Sequence, residues 1–393
     1  MGRRAGFTVA AYAFGVTMLG TTLPTPLYSL YRQKFGFSEL TVTIVYATYA
    51  VGVLVSLLLF GRLSDQIGRR PVMIPGLLLS AASAAMFLVA HSLSLLFVGR
   101  VLSGLSAGIF TGTATATLLD LAPPGPSGRG HATTVATVVN LGGLGCGPLL
   151  AGILAQYAGH PLRLPFIVDL ALLVPAVVGI VLLSETVERN PRPVWRPRRP
   201  QVPPSVRAVF IRAALAGFAG FAVLGLFTAV APAFLGEVLG VTNRAAIGLV
   251  VFAVFASSTI GQAALGRLRG RTGLLVGCVG LIAAMGLLAL SLVVQSLVLL
   301  VVAGVVAGLG QGVSFRSGLS AVGEGAPPAA RAEVASAFFV VAYIAISLPV
   351  VGVGLLADAT SLSTAGETFA VIIAVLCAAT VALLARQRVA SPA

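Results

Sequence analysis

Two charged residues lie within long apolar stretches of this sequence, where a membrane-spanning helix would carry them into lipid. Arg100 lies about seven residues inside the stretch 93–119, and Asp169 about five residues inside the stretch 165–183. Such charges are costly within a bilayer and mark candidate functional sites. Asp169 is predicted either to pair with Arg100 or to titrate. For Arg100 the alternative is that its side chain extends to the nearby membrane surface, since a helix of seven residues rises only about 10 Å.

A third candidate is the segment GRLSDQIGRR, which joins two apolar stretches. Gly61 and Gly68 permit a tight reversal of the chain, and Asp65 offers a carboxylate to the positive ends of neighbouring helices. Arg69 and Arg70 directly follow Gly68. This arrangement predicts an ionic contact. The alternative is a plain hairpin turn whose arginines only orient the protein in the membrane.

The segment GLGCGPLLAG combines closely spaced glycines with a proline inside an apolar stretch. Gly143, Gly147 and Gly152 allow another helix to approach closely, while Pro148 removes a backbone donor and weakens the helix locally. We predict a bent, tightly packed wall at this position. Ordinary packing of small residues is the alternative, because the chain contains 46 glycines.

The composition indicates the environment in which these residues act. Of the 393 residues, 58% are hydrophobic and 9% are charged, whereas an ordinary soluble domain has roughly 25% charged residues. These values exclude a soluble protein and predict an all-α integral membrane protein, because apolar runs of roughly 20 residues cross a bilayer as helices. The twelve predicted spans are 7–28, 40–60, 72–90, 93–119, 133–158, 165–183, 213–234, 245–265, 274–294, 297–319, 334–356 and 365–384.

The positions of the basic residues predict an orientation. With both termini on the same side, twenty of the 25 basic residues lie on that side, four lie on the other, and Arg100 lies within a span. The positive-inside rule then places both termini in the cytoplasm, and we expect the chain to lie in the cytoplasmic (inner) membrane of a bacterium. The net charge of +14 therefore describes orientation and contact with membrane lipid rather than a nucleic-acid partner.

An internal repeat divides the chain into two parts. Gly104 and Gly108 match Gly308 and Gly312 at an offset of 204 residues. We predict an N-terminal six-helix bundle in residues 1–184, an Arg- and Pro-rich cytoplasmic linker in residues 185–212, and a C-terminal six-helix bundle in residues 213–393. Two such halves are typical of transporters that rock about a central cavity.

These features resemble the major facilitator superfamily, and within it the twelve-helix drug/proton antiporters. The loop around Asp65 is similar to the superfamily motif GxLaDrxGrr, with Gln66 where a basic residue is usual. The segment that begins at Arg100 resembles the motif Rxx(q)Gxg, with Ser103 in place of glutamine. The glycine and proline segment resembles the antiporter motif gxxxGPxxGG, with Ala151 in place of one glycine. The repeat extends the resemblance to essentially the whole chain.

The resemblance implies two pseudo-symmetric six-helix bundles that open alternately to the two sides of the membrane. It implies that Asp65, Arg69 and Arg70, with the turn glycines, form a latch that holds the halves together on the inside and releases as the cavity opens inward. It places Arg100 in proton transfer or charge balance, and it links the glycine and proline segment to export. The predicted supporting ion pairs are Asp120 with Arg129 and Glu324 with Arg331.

The same resemblance implies a central cavity lined by spans one, four, seven and ten, with contributions from spans two, five, eight and eleven. Such a lining would suit amphipathic, aromatic or weakly polar compounds. The candidate contacts are Thr21, Thr25, Tyr28, Tyr46, Tyr49, Asn140, Phe221, Phe227, Gln262, Gln311, Phe338 and Tyr343.

The sequence thus predicts a transporter, not an enzyme, that exports small amphipathic or drug-like molecules in exchange for protons. We expect it to act as a monomer, driven by the proton gradient without cofactor or metal. Many drug/proton antiporters carry an acidic residue in span one, which this chain lacks, so the coupling residue is not assigned. The alternative is a proton-coupled uptake permease for a small polar metabolite. A transporter-like sensor ranks below both.

Overall fold

A computed structural model describes residues 1–60, 63–188, 200–263, 268 and 270–386. Within them the chain forms helices and connecting turns, with no β-strand, and twelve helical segments are long and apolar enough to cross a membrane. They are α1 (Arg3–Thr22), α2 (Glu39–Phe60), α3 (Arg70–Leu88), α4 (Leu93–Leu121), α5 (Pro126–Tyr157), α6 (Leu164–Leu182), α7 (Arg207–Ala229), α8 (Arg244–Ala263), α9 (Gly270–Val293), α10 (Leu297–Gly325), α11 (Arg331–Ala359) and α12 (Leu362–Ala385). The predicted all-α membrane fold is confirmed.

Several helices begin before the spans predicted from hydropathy. α5 begins at Pro126 rather than at residue 133, and α7 begins at Arg207, so the last six residues assigned to the linker are helical. Hydropathy marks only the lipid-embedded part of a helix. The polar first turns continue into the membrane interface, where arginine side chains reach water.

Helix α1 ends within the candidate membrane span Arg3–Phe35 because two prolines interrupt it. Pro24 and Pro26 have no N–H and cannot donate to the preceding turn. A 3₁₀ turn, Thr25–Leu27, follows, and a second helix, Tyr28–Phe35, continues the chain. The Gly20 carbonyl therefore lacks the donor that residue 24 would supply in a regular helix.

The two ends of the helical bundle differ in charge. Odd-numbered helices begin at one end, and even-numbered helices begin at the other. We call the first end the Arg-rich face, and its residues include Arg3, Arg70, Arg129, Arg207, Arg271, Arg331 and Arg386. The other end is the opposite face, and its turns include Gly36, His160, Asn243, Gln295 and Ser361.

The repeat reproduces one close backbone contact in both halves. A Cβ on Gly104 of α4 would lie 2.2 Å from the carbonyl oxygen of Tyr49 in α2. A Cβ on Gly308 of α10 would lie 2.3 Å from the carbonyl oxygen of Val254 in α8. Glycine at both positions lets the helices approach closely. The halves are therefore built around equivalent α2–α4 and α8–α10 contacts.

Candidate substrate cavity and its gates

A cavity of about 240 Å³ lies between the two halves. Its walls come from α1, α2, α4 and α5 of the first half and from α7, α8, α10 and α11 of the second. Thr133, toward the Arg-rich face, is exposed, whereas Tyr46 and Arg100 at the other end of the cavity are buried. The cavity therefore opens toward the Arg-rich face.

Most of the predicted cavity residues line this cavity. Its walls contain aromatic, hydroxyl and amide side chains. Those predicted and found there are Thr21, Tyr46, Tyr49, Asn140, Phe221, Gln262, Gln311 and Tyr343. The cavity can therefore hold a compound with an apolar body and a few polar groups.

Four predicted cavity residues, Thr25, Tyr28, Phe227 and Phe338, are instead buried in the packed interior. Thr25 and Tyr28 follow the break that ends α1, which changes the direction in which side chains point. For the residues on α7 and α11, the sequence did not show which side of the helix faces the cavity. Successive residues on a helix point about 100° apart, so a small error in helix rotation moves a side chain out of the cavity. Phe227 packs near Gly304, and Phe338 packs near Gly217.

A row of threonines on α4 and α5 extends the cavity wall and was not predicted. The row consists of Thr111 and Thr115 on α4 and Thr133 and Thr137 on α5. Each hydroxyl donates to the carbonyl oxygen four residues earlier in its own helix, at 2.7–3.1 Å. The hydroxyls are therefore satisfied without a ligand. Their spacing of four residues was the sequence signal for one shared face.

Arg100 lies at the closed end of the cavity and is 2% exposed. Its Nη1 donates to the carbonyl oxygen of Thr21 at 2.6 Å, and its Nη2 donates to that of Tyr46 at 3.4 Å. The guanidinium carbon lies 4.7 Å from the centre of the Tyr49 ring. The side chain thus remains in the membrane interior and does not extend to the surface.

Asp169 is 2% exposed and lies where α6 packs against α1. A Cβ on Gly20 would lie 2.8 Å from Asp169 Oδ2, and Oδ1 has no hydrogen-bond partner among residues that the structure describes. The predicted pair with Arg100 does not form: within the described chain, Asp169 makes no ion pair with that residue. Arg100 instead contacts α1 at Thr21, next to the position that Asp169 approaches.

Helix α5 is held between α1 of its own half and α8 of the other. A Cβ on Gly147 would lie 2.4 Å from the carbonyl oxygen of Leu19 in α1. A Cβ on Gly152 would lie 2.4 Å from the carbonyl oxygen of Arg244 at the start of α8. Gly143 packs in the same way against α1, and Pro148 contacts Gly248 of α8. The glycine and proline segment therefore contributes to closure of the opposite face.

An ionic cluster also joins the halves at the opposite face. Arg32 Nη1 contacts Oε1 of Glu39 in the first half and Oε1 of Glu237 in the second. Asp358, at the end of α11, accepts a bond from the Leu40 N–H at 3.4 Å. The side chain of Glu237 is 50% exposed, so water screens this contact.

Replacing Glu237 by glutamine should weaken closure of the opposite face only slightly. An exposed ion pair contributes up to about 1 kcal/mol, so we expect the ratio of closed to open molecules to fall about fivefold at most. The ratio can be followed by spin-label distances across this face, with Glu324→Gln at the Arg-rich face as the control. A loss of closure greater than tenfold would show that the ion pair, rather than helix packing, holds this face closed.

The predicted latch residues form a polar cluster at the Arg-rich face. Arg69 Nη1 donates to Ser64 Oγ at 2.9 Å and to Asp65 Oδ1 at 2.5 Å, and its Nε donates to Asp120 Oδ2 at 3.0 Å. Burial lowers the pKa of Arg69, but the bonds to the two carboxylates raise it, and the net change is upward. These contacts join elements of the first half. Gly61 lies outside the described residues.

Glu185, which was assigned to the linker, belongs to this cluster. Its Oε1 accepts a bond from the Arg69 N–H at 2.8 Å, and its Oε2 accepts one from the Arg70 N–H at 3.2 Å. The carboxylate thus satisfies the first amides of α3, where the helix dipole favours a negative charge. Gly68 has φ +106°, and a Cβ there would lie 2.4 Å from Glu185 Oε2. The positive φ therefore favours glycine here, and a larger side chain would also displace the Glu185 carboxylate.

The predicted ion pairs beside the latch are wrong. Within the described chain, Asp120 pairs with Arg69 rather than with Arg129, because the buried Arg69 faces it across the end of α4. Glu324 accepts a bond from Ser320 in its own helix. The Nε of Arg331 donates to the Ala326 carbonyl oxygen at 3.3 Å. Asp120 thus pairs with a residue distant in sequence, and local hydrogen bonds satisfy Glu324 and Arg331.

Replacing Arg69 by alanine should destabilise the first half. Asp65, Asp120 and Ser64 lose their shared donor, which costs about 1–3 kcal/mol and lowers the unfolding midpoint in detergent by about 2–8 °C. Arg70→Ala is the matched control, because the described contacts of Arg70 use only its backbone N–H. Equal melting of the two variants would contradict a structural role for the Arg69 side chain.

Comparison with known proteins places these features in a family. Residues 6–350 match the family model of the Major Facilitator Superfamily. The chain is 26% identical over 184 residues to the quinolone resistance protein NorA of Staphylococcus aureus, and the match covers 47% of this chain and 46% of that protein. It is 28% identical over 179 residues to multidrug resistance protein 1 of Bacillus subtilis, and this match covers 45% of this chain and 44% of that protein. The matches thus span about half the length of these relatives.

Solved structures match over nearly the full chain. A bacterial homologue of the human lysosomal transporter Spinster, in an inward-facing and unoccupied conformation, superposes with a TM-score of 0.75. The two are 16% identical, and the match covers 97% of this chain and 96% of the other. The inward-facing and occupied form of such a homologue gives a TM-score of 0.68. With its cavity between two six-helix halves and a family match across most of its length, the chain belongs to the Major Facilitator Superfamily.

Proposed function

We propose that this transporter exports small amphipathic or drug-like molecules from the cytoplasm in exchange for protons, by alternating access. The arginine distribution supports an orientation with the Arg-rich face in the cytoplasm of a bacterium. In that orientation the cavity is open to the cytoplasm and closed to the outside. This is the state in which an exporter collects its substrate.

The aromatic and almost uncharged wall of the cavity is the main support for this proposal. Phe315 lies at the centre of an aromatic group, with ring centres 5.2 Å from Phe221 and 6.1 Å from Phe339. Of the cavity-lining residues in the described chain, only Arg100 is charged. Uptake of a polar metabolite would call for more charged contacts. The names of the relatives, a quinolone resistance protein and a multidrug resistance protein, fit the same class of substrate.

Proton exchange needs a group in the membrane that binds and releases a proton. Asp169 is buried beside Gly20, whose carbonyl lacks its helical donor because residue 24 is proline. Asp169 Oδ1 has no hydrogen-bond partner among the described residues, so a protonated carboxyl is favoured there over an ionised one, which would lack a counter-charge. We therefore assign proton binding to Asp169. Its position against α1 lets helix movement change its access to water.

Inverted membrane vesicles with an acidic interior test the proposal. Substrates should enter the vesicles, and each should release protons measured with a pH-sensitive dye. Vesicles from cells lacking the protein, and vesicles without a pH gradient, are the controls. If neither amphipathic dyes nor antimicrobial compounds enter or release protons above these controls, the proposed function is wrong.

A further inference from the structure

The charge of Arg100 is not balanced by any carboxylate in the structure. Within the described chain, no acidic side chain forms an ion pair with it, and its Nε has no hydrogen-bond partner. Two backbone carbonyls and two tyrosine rings are its polar contacts. A buried charge with so few partners is costly, and it gains strongly from any anion that reaches it.

The cavity directs such an anion to Arg100. Arg100 lies at the closed end, and the described cavity wall contains no aspartate or glutamate to repel an anion or attract a cation. The rings of Tyr46 and Tyr49 lie 5.5 and 4.7 Å from the guanidinium carbon and cover it. Both tyrosines and Arg100 line the cavity, so a change of rotamer at either tyrosine would uncover the guanidinium to a ligand in the cavity.

The other end of the cavity has the opposite character. Phe221, Phe315 and Phe339 form an aromatic wall toward the Arg-rich face. An aromatic ring packs well against such side chains. The cavity therefore has two unlike subsites, a cationic one at its closed end and an aromatic one near its mouth.

We propose that Arg100 forms an anion-binding subsite and that the preferred substrates are aromatic compounds with one carboxylate or sulfonate group. The anionic group binds the guanidinium, and the aromatic body lies against the phenylalanine wall. This inference rests on the proposed export function and adds to it the charge of the substrate. A neutral analogue can bind the aromatic wall but gains nothing from Arg100.

A matched set of fluorescent probes tests the charge preference. Dansyl sulfonate is anionic, dansyl amide is neutral, and dansylcadaverine is cationic, and all three share one ring system. A sulfonate stays ionised at all working pH values, so a pH gradient does not distribute it passively. Binding to the purified wild-type protein is measured by fluorescence titration, and export is measured in inverted vesicles.

We expect the wild-type protein to bind the sulfonate at least tenfold more tightly than the amide, and the cation more weakly than either. In Arg100→Gln the preference for the sulfonate should fall below twofold, while the dissociation constant of the amide stays within about twofold of wild type. In Arg100→Lys part of the preference should remain, since the charge is kept but the planar donor group is lost. Unchanged binding of the amide shows that the variants are folded.

The outcomes separate this inference from the proposed function. The anion subsite is wrong, and export stands, if the wild-type protein exports the amide or the cation at the same rate as the sulfonate. The same conclusion follows if Arg100→Gln keeps the preference for the sulfonate. If none of the three probes binds or enters the vesicles although other amphipathic dyes do, this inference is wrong and export stands. If no amphipathic dye or antimicrobial compound enters either, the proposed function fails, and this inference fails with it.

Discussion

Replacing Gly248 by alanine should prevent full closure of the opposite face and slow transport at least fivefold. A Cβ on Gly248 would lie 2.3 Å from the carbonyl oxygen of Pro148, and neither of the two backbones can give way without moving its helix. Overpacking of this kind costs about 1–3 kcal/mol, which changes the ratio of two conformations about 5- to 150-fold. This effect exceeds that expected for the exposed Arg32–Glu237 ion pair.

Labelling from the Arg-rich side measures this change. In a variant without native cysteines, Cys introduced at Thr137 lies on the cavity wall and reacts with a membrane-impermeant maleimide when the cavity is open to that side. Gly248→Ala should lower the ratio of molecules open to the Arg-rich side to molecules closed to it at least fivefold, and the labelling rate should fall with the open population. Gly142→Ala is the control, because a Cβ there meets nothing within 4 Å. Equal labelling and transport rates in both variants would contradict the role of this contact in closure.

Replacing Asp169 by asparagine should abolish proton-driven accumulation while leaving substrate binding intact. Asparagine fills the same space beside Gly20 but cannot release a proton, and Asp169 does not line the cavity. We expect substrate-induced proton release to fall more than tenfold. Exchange of labelled for unlabelled substrate, which needs no net proton movement, should continue within about twofold of the wild-type rate.

Glu324→Gln is the control for Asp169→Asn, because it removes an exposed carboxylate that bonds only to Ser320 among the described residues. Proton release and exchange should both match wild type in this control. If Asp169→Asn releases protons at the wild-type rate, another group carries the proton. If it loses exchange as well, Asp169 has a structural role in packing α6 against α1.

The sequence predicts the spans and the repeat well because both depend on local composition. Long apolar runs mark the helices, and the 204-residue offset of Gly104 and Gly308 reflects one helix contact used twice. Helix rotation is harder to predict in a membrane. Helices such as α7 are apolar on every side, so the pattern of polar and apolar residues that orients a soluble helix is lost. Phe227 was therefore placed in the cavity although it packs in the core.

The carboxylates that contact Arg69 at the Arg-rich face could not be predicted, and the reason is a different one. Glu185 and Asp120 lie 116 and 51 residues from Arg69 in sequence, and only the folded helices bring them together. Asp120 had Arg129 nearby in sequence, yet burial of Arg69 decides the pairing because a buried charge gains more from a carboxylate than an exposed one. Arg100 was identified from its depth alone, since any charge within a span needs an explanation.

The most direct test of the account measures one distance across each face of the same molecule in lipid. Spin labels at Thr134 and Ala332, which are exposed on α5 and α11, report the Arg-rich face, and labels at Ser38 and Thr360 report the opposite face. During substrate-driven proton exchange, the population with a wide Arg-rich face should fall as the population with a wide opposite face rises, and Asp169→Asn should stop the response to pH. Two distances that widen together, or that stay fixed while substrate is exported, would contradict alternating access through this cavity.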